Sequence, residues 1–214
     1  MGHKVSPLAF RIGYIKSWRS NGYYNKKEYG KNVSLDVAIR TTIMDHLRGL
    51  PIGNVFINHN VNKTVSVIIY TSRTALVLGK DDENLDALKA KLAKQYAQFT
   101  FDISVKEIKK PELSAAIVAD SIARQIERKM PYRRVIKNAI SRTMEKGGLG
   151  VKVKLGGRLN GAEIARKETY KDGSIPTQTI RSDVDFAYER AETTAGTIGL
   201  KVWIYKGSIF KNKK

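Results

Sequence analysis

The chain has 214 residues with 39 Lys and Arg against 20 Asp and Glu, a net charge of +19 and a pI near 10.0, a surplus whose self-repulsion calls for a polyanionic partner. The absence of cysteine excludes disulfides, thiolate metal sites and a cysteine nucleophile. No apolar run approaches the ~18 to 20 residues of a membrane span, and the amino-terminal residues lack a secretory apolar region. The charge is also evenly spread: 18 basic and 9 acidic side chains up to residue 110, and 21 and 11 beyond it. A neutral enzyme carrying a basic tail would be lopsided. This distribution suits a protein surrounded by nucleic acid, with 42% hydrophobic residues sufficient for one large or two small cores.

Residues 1–32 form a basic N-terminal arm with little periodicity, in which aromatics interleave with cations: Phe10-Arg11, Trp18-Arg19, and Tyr23-Tyr24 before Lys26-Lys27. Such an arm can lie on phosphates and stack on bases, or its rings can pack it onto the domain. The opening Met1-Gly2-His3-Lys4-Val5-Ser6 matches a lipid-acceptor pattern, but six residues match easily. Next, Ser34 is read as the cap of a helix reaching about Arg48, with Leu35, Ile39, Ile43 and Leu47 four apart, ended by Gly49-Leu50-Pro51. Strand patterns follow over residues 54–60 and 64–71, then a short helix over 73–78 and a turn at Gly79-Lys80-Asp81-Asp82. A helix through Leu85, Leu88, Leu92 and Tyr96 and an alternating strand through Phe101, Ile103 and Val105 close the block.

That order over residues 33–110 resembles a type II KH domain, whose GXXG loop clamps single-stranded backbone. Here the second glycine is replaced by Asp82 and Glu83 follows, which adds negative charge where a phosphate would approach. The acids complement the helix dipole themselves, so Asp81 or Asp82 is read as an ordinary N-cap. The KH groove is expected to be scaffold more than clamp, with Lys80 its one plausible contact.

Lys109-Lys110-Pro111-Glu112 is the expected joint to a second domain over residues 111–214. In its first helix Ala115, Val118, Ile122 and Ile126 recur at steps of three and four. Pro131 predicts a kink or restart. Beyond it Ile136, Ala139, Ile140, Thr143 and Met144 form an apolar stripe, with Arg134 and Lys137 outward and Arg133 at its edge. Such a ridge is either a solvated face or a nucleic-acid contact, and the chain total favours the second. Gly147-Gly148-Leu149-Gly150 turns into an alternating strand over residues 151–155 with one cationic face. Gly156 to Gly161 then leads to a short helix over residues 162–168 bearing Arg166 and Lys167, followed by strands over about 177–188 and 200–206. Helices followed by a mostly antiparallel sheet make this an α+β arrangement.

Catalytic motifs are not found. Gly156 to Gly161 has P-loop spacing, but Ala162-Glu163 stands where Lys-Ser/Thr is needed, and Gly148-Leu149-Gly150-Val151-Lys152-Val153 ends in valine instead of the final glycine of GxGxxG. His3, His46 and His59 lack metal-site spacing, and no Ser/His/Asp signature stands out. Asp183, Asp185, Glu189 and Glu192 could include a metal pair, but with Arg181 and Arg190 beside them ordinary ion pairing is the expectation. Neither cofactor nor metal is expected.

The segments GVKVKLGGRLNGAEIARKE, IPTQTIRSDVDFA and TTAGTIGLKVWIYKG closely resemble the C-terminal domain of the ribosomal protein S-three family of the small subunit. MGHKVSPLAFRIG resembles the start of its bacterial and organellar members, and KPELSAAIVADSIARQIERKMPYRRVIKNAI its central helices, so the match covers essentially the whole chain. The resemblance implies a non-enzymatic RNA-binding constituent of the subunit head, on ribosomes in the cytoplasm or an organelle. Its implied partners are ribosomal RNA, messenger RNA and the neighbouring ribosomal proteins S-four, S-five, S-ten and S-fourteen. It also implies that Arg133, Arg134 and Lys137 meet messenger RNA in the tunnel through which it enters and help to unwind it. Lys4, Arg11, Lys16, Arg158, Arg166, Lys167 and Arg181 are the ribosomal-RNA candidates. A nuclease or DNA-lesion lyase is the competing class, and it would need an activated lysine or a metal carboxylate pair.

Overall fold

The computed structural model describes residues 4–60, 63–79 and 82–210, and the chain separates into two units. Trp18–Lys109 is one, and Met1–Ser17 joins Lys110–Lys214 in the other. The basic arm expected over residues 1–32 is therefore divided at Ser17, each part belonging to a different unit.

In the unit Trp18–Lys109, β1 (Ser20–Asn21) and α1 (Tyr29–His46) precede β2 (Ile52–His59) and β3 (Thr64–Thr71). Then come α2 (Thr74–Leu78), α3 (Glu83–Gln95) and β4 (Thr100–Glu107). The sheet order is β1-β2-β3-β4, with β2 and β3 antiparallel and both outer pairs parallel. Val65, Val67 and Ile69 alternate along β3 and are fully buried with Ile39 and Ile43 of α1 and Leu88 and Leu92 of α3. Each such side chain contributes about 1.5–3 kcal/mol on burial. The helix expected from Ser34 starts five residues earlier, and Ser34 sits inside it, its hydroxyl donating to the Gly30 carbonyl at 3.0 Å. Arg40 joins α1 to the sheet by donating to the Val55 carbonyl at 2.8 Å and the Ser20 hydroxyl at 2.9 Å. Asp82 precedes α3 with φ of 61° and makes no side-chain cap, which corrects its reading as an N-cap. That left-handed conformation is one that aspartate tolerates better than most residues and that glycine adopts freely. Lys80 and Asp81 lie outside the described residues, as do Met1, Gly2 and His3.

In the second unit, α4 (Ala115–Glu127) and α5 (Tyr132–Glu145) are followed by β5 (Gly150–Gly157), β6 (Arg166–Gly173), β7 (Ser182–Thr193) and β8 (Gly196–Ser208). The sheet order is β6-β5-β8-β7, antiparallel throughout. The expected break at Pro131 is a restart: α4 ends, Lys129 turns with φ of 60°, and Pro131 precedes the first residue of α5. Ala115, Val118, Ile122 and Ile126 of α4 share one core with Ile136 and Ile140 of α5 and with Val151, Val153, Leu155, Leu200, Val202 and Ile204 of the sheet. Both helices thus cover one sheet face. The helix expected over residues 162–168 is not formed, because Arg166 opens β6 against the edge of β5. The alternation of Glu168 and Tyr170 with Lys167, Thr169 and Lys171 places Tyr170 against the core, and the ladder satisfies backbone groups that a short helix would leave open. The strand expected from residue 177 begins at Ser182 instead.

Candidate nucleic-acid interface

The second unit orients the cationic ridge by burying the opposite side of its helix. Tyr132, Val135, Ile136, Ile140 and Thr143 face the core, while Arg133, Arg134 and Lys137 are exposed along α5. Neither Arg134 nor Lys137 has an acidic partner among the described residues. Their charges remain available to an anion, held on a rigid element.

Arg133 is placed differently. Its Nε donates to the Tyr132 hydroxyl at 3.1 Å, its guanidinium lies 5.8 Å from the centre of the Tyr132 ring, and its Nη2 is 3.8 Å from Glu168. Glu168 is the hub of this cluster. It accepts from the Tyr170 hydroxyl at 2.8 Å and the Tyr132 hydroxyl at 3.0 Å, and it pairs with Arg166 at 3.2 Å. The Tyr170 hydrogen bond is the largest influence on the Glu168 carboxyl; burial opposes it, and the Tyr132 hydrogen bond and the attraction of Arg133 and Arg166 join it in holding the carboxyl below its usual value. The cluster fastens the start of α5 to β6 and so fixes where the ridge points. Because the folded-state value is depressed, the carboxylate stabilises the fold above its ordinary pKa of about 4.3, and that contribution is lost as pH falls through the folded-state value. Glu168→Gln is accordingly expected to flatten the decline of stability on the acid side of pH ~4.3, measured by urea unfolding at a series of pH values.

Arg11, an expected ribosomal-RNA contact, is turned into the fold instead of being offered to solvent. It is fully buried, its Nε donating to the Ser182 carbonyl at 2.6 Å and its Nη1 to the Pro7 carbonyl at 2.9 Å. Its Nη2 reaches the carbonyls of Pro176, Thr177 and Thr179 at 3.2, 2.9 and 3.0 Å. Desolvation lowers its pKa, and Asp183 opposes that shift. Lys16 pairs with Asp183 at 2.6 Å beside it, so this cation is also engaged within the fold. Arg181 is exposed, with its guanidinium 5.4 Å from the Phe210 ring centre. Arg158 donates to the carbonyls of Ala162 at 2.9 Å and Ala195 at 3.1 Å, bracing two turns while remaining exposed. Lys4 and Lys167 are exposed, and Arg166 joins the Glu168 cluster. Asp185 accepts from the Ala115 amide at 3.1 Å and from Lys206 at 3.4 Å, so Asp183 and Asp185 take part in structural ion pairs. Among the described residues no group of three or more His, Asp or Glu could hold a metal ion.

The alternation of Lys152 and Lys154 along β5 predicts a cationic side but not its extent. On the sheet face away from the helices, register sets Lys171, Lys152, Trp203 and Phe186 in one row. Thr169, Lys154, Lys201 and Tyr188 form the next, and Lys167, Gly156, Gly199 and Arg190 the third. Lys171, Lys201 and Arg190 were missed because they belong to this surface only once strand order is known.

The comparisons agree across the chain. The family model "Ribosomal protein S3, C-terminal domain" matches residues 122–204, and the model "KH domain" matches residues 38–113, where the type II KH pattern was expected. "Small ribosomal subunit protein uS3" of Streptococcus sanguinis is 43% identical over 214 residues, covering 100% of this chain and 97% of that protein. The protein of the same name from Protochlamydia amoebophila is 44% identical over 207 residues, covering 97% of this chain and 96% of its own length. That from Xanthomonas euvesicatoria pv. vesicatoria is 42% identical over 210 residues, covering 98% and 85%. With identity at this level along its whole length, and with both domain patterns in their expected order, the chain belongs to the ribosomal protein S3 family.

Proposed function

We propose that this chain is a non-enzymatic structural constituent of the small ribosomal subunit, held in ribosomal RNA by many lysine and arginine contacts to phosphate. In this reading it presents the α5 ridge to messenger RNA in the tunnel through which the message enters. Ribosomal proteins S-four, S-five, S-ten and S-fourteen are its neighbours, and its place is on the ribosome in the cytoplasm. No helix among the described residues is long and apolar enough to cross a membrane. The observation that carries the messenger reading is the pair Arg134 and Lys137: exposed, without acidic partners among the described residues, and mounted on a helix whose other face is locked into the core. Phosphate contacts of this kind carry no sequence information, as a surface sliding over every message requires. Gripping the backbone while translocation pulls would help strands part.

Arg134→Ala combined with Lys137→Ala should leave incorporation into small subunits intact and slow passage through a messenger hairpin severalfold, with unstructured messages translated as before. A reconstituted translation assay comparing the two templates measures this. Equal rates through the hairpin for the variant and the parent would remove the ridge from the mechanism.

A further inference from the structure

The outer face of the β6-β5-β8-β7 sheet concentrates charge and rings that the α5 ridge does not use. Its three rows hold six cations (Lys152, Lys154, Lys167, Lys171, Arg190 and Lys201), three aromatics (Phe186, Tyr188 and Trp203) and no carboxylate. The rings run along the β7 and β8 side and the lysines mainly along β5 and β6, so a strand lying across the sheet meets both. Lys152 Nζ is 5.3 Å from the Trp203 ring centre, and Lys201 Nζ is 5.9 Å from that of Tyr188. Phe186 packs against Trp203 with centroids 5.1 Å apart. Burial, then the neighbouring charges of Lys4, Lys154 and Lys171, pull the Lys152 pKa down, as expected where cations crowd without counter-charge.

We propose that this sheet face is a second nucleic-acid surface, binding single-stranded RNA through lysine contacts to phosphate and base stacking on Trp203 and Tyr188. The RNA identity rests on the ribosomal reading above; the chemistry of the face does not. An acidic protein segment would match the charge but would have no use for rings set beside the lysines, whereas every nucleobase has a face that stacks. Duplex RNA keeps its bases out of reach of a flat sheet. In the free protein the lysines occupy the rings, and on binding each ammonium moves to a phosphate as a base takes its place.

The two tryptophans of the chain are Trp18 and Trp203, so in a Trp18→Phe full-length chain the fluorescence reports this face alone. Titration with an oligouridylate of about 12 nucleotides should quench Trp203 saturably. Lys152→Gln, Lys154→Gln and Lys201→Gln together remove three charges while leaving a polar side chain at each position, and they should weaken that quench at least about tenfold. They should also lower its log–log salt slope by about 2, since each single-strand phosphate contact contributes about 0.7. Tyr188→Leu retains every cation and should weaken the quench at least about fivefold with the slope unchanged. Absence of quenching, or a triple variant with unaltered affinity and slope, would overturn the proposal. So would polyglutamate or duplex RNA quenching as well as the single strand, the former pointing to an acidic protein partner. Sedimentation separates this from the ribosomal reading: a chain found in small subunits but not quenched loses only this surface, and a quenched chain absent from small subunits loses only its place there.

Discussion

Arg11→Met should destabilise the second unit by about 3–4 kcal/mol and lower its melting midpoint by ~10–15 °C. Methionine fills similar space but donates nothing. Five backbone carbonyls, those of Pro7, Pro176, Thr177, Thr179 and Ser182, would lose their shared donor inside the fold. An unsatisfied buried polar group costs about 1–3 kcal/mol; the Thr179 carbonyl keeps the Ser182 amide at 3.2 Å, and partial relaxation lowers the sum further. Arg11→Lys should recover little, because one ammonium with three donors cannot span groups arranged around a planar fork. Hydrogen exchange gives the sharper test. Amides of β7 and of residues 176–182 should lose protection while those of β2 and β3, in the other unit, keep theirs. Equal loss in both units, or a change in midpoint under ~2 °C, would contradict the assigned role.

Gly150→Ala should cost about 3 kcal/mol, at the upper end of ordinary overpacking. A Cβ built on Gly150 would lie 2.0 Å from the Ser174 carbonyl oxygen and 2.7 Å from its carbon, both backbone atoms fixed where β5 meets the end of β6. No rotamer change relieves such a clash. The strands would have to separate there. Gly156→Ala, on the same strand, meets only the Lys167 side chain at 3.5 Å, an ordinary contact, and should change stability by less than about 1 kcal/mol. Denaturant midpoints of the two variants side by side test whether close backbone approach, and not glycine loss in general, is the cause.

Helix and strand cores were legible wherever a single period governed the residues. The α4 stripe, the β3 alternation and the stop at Pro131 all required only local pattern, and each was found. The errors have separate physical causes. Arg11 resembles a phosphate ligand in sequence because nothing within the arm reveals that four of its five carbonyl partners lie 165 to 171 residues away. Glu-Ile-Ala-Arg-Lys-Glu, rich in helix formers, predicts a helix where β6 forms. The alternation ending in Thr169 and Tyr170 was the contrary sign, and tertiary pairing with β5 decided the outcome. Ser34 looked like a cap because it preceded an apolar stripe, yet a helix can begin ahead of its buried face. The ridge itself was readable from spacing. The bond between Arg133 and Tyr132 was not, since it depends on Glu168 approaching from another element.

The Arg11 clasp has a consequence for how the chain is made. Trp18–Lys109 is a continuous segment and can fold as soon as it clears the exit of the synthesising ribosome, whereas Arg11 must wait for Ser182, 171 residues later. At roughly 5–20 residues per second that interval is about 10–30 s. Throughout it the Arg11 guanidinium lacks the Ser182 carbonyl to which its Nε donates in the finished fold. Closure of the full clasp therefore belongs to the last stage of synthesis, because a polypeptide ending before β7 lacks the Ser182 carbonyl that accepts from the Arg11 Nε.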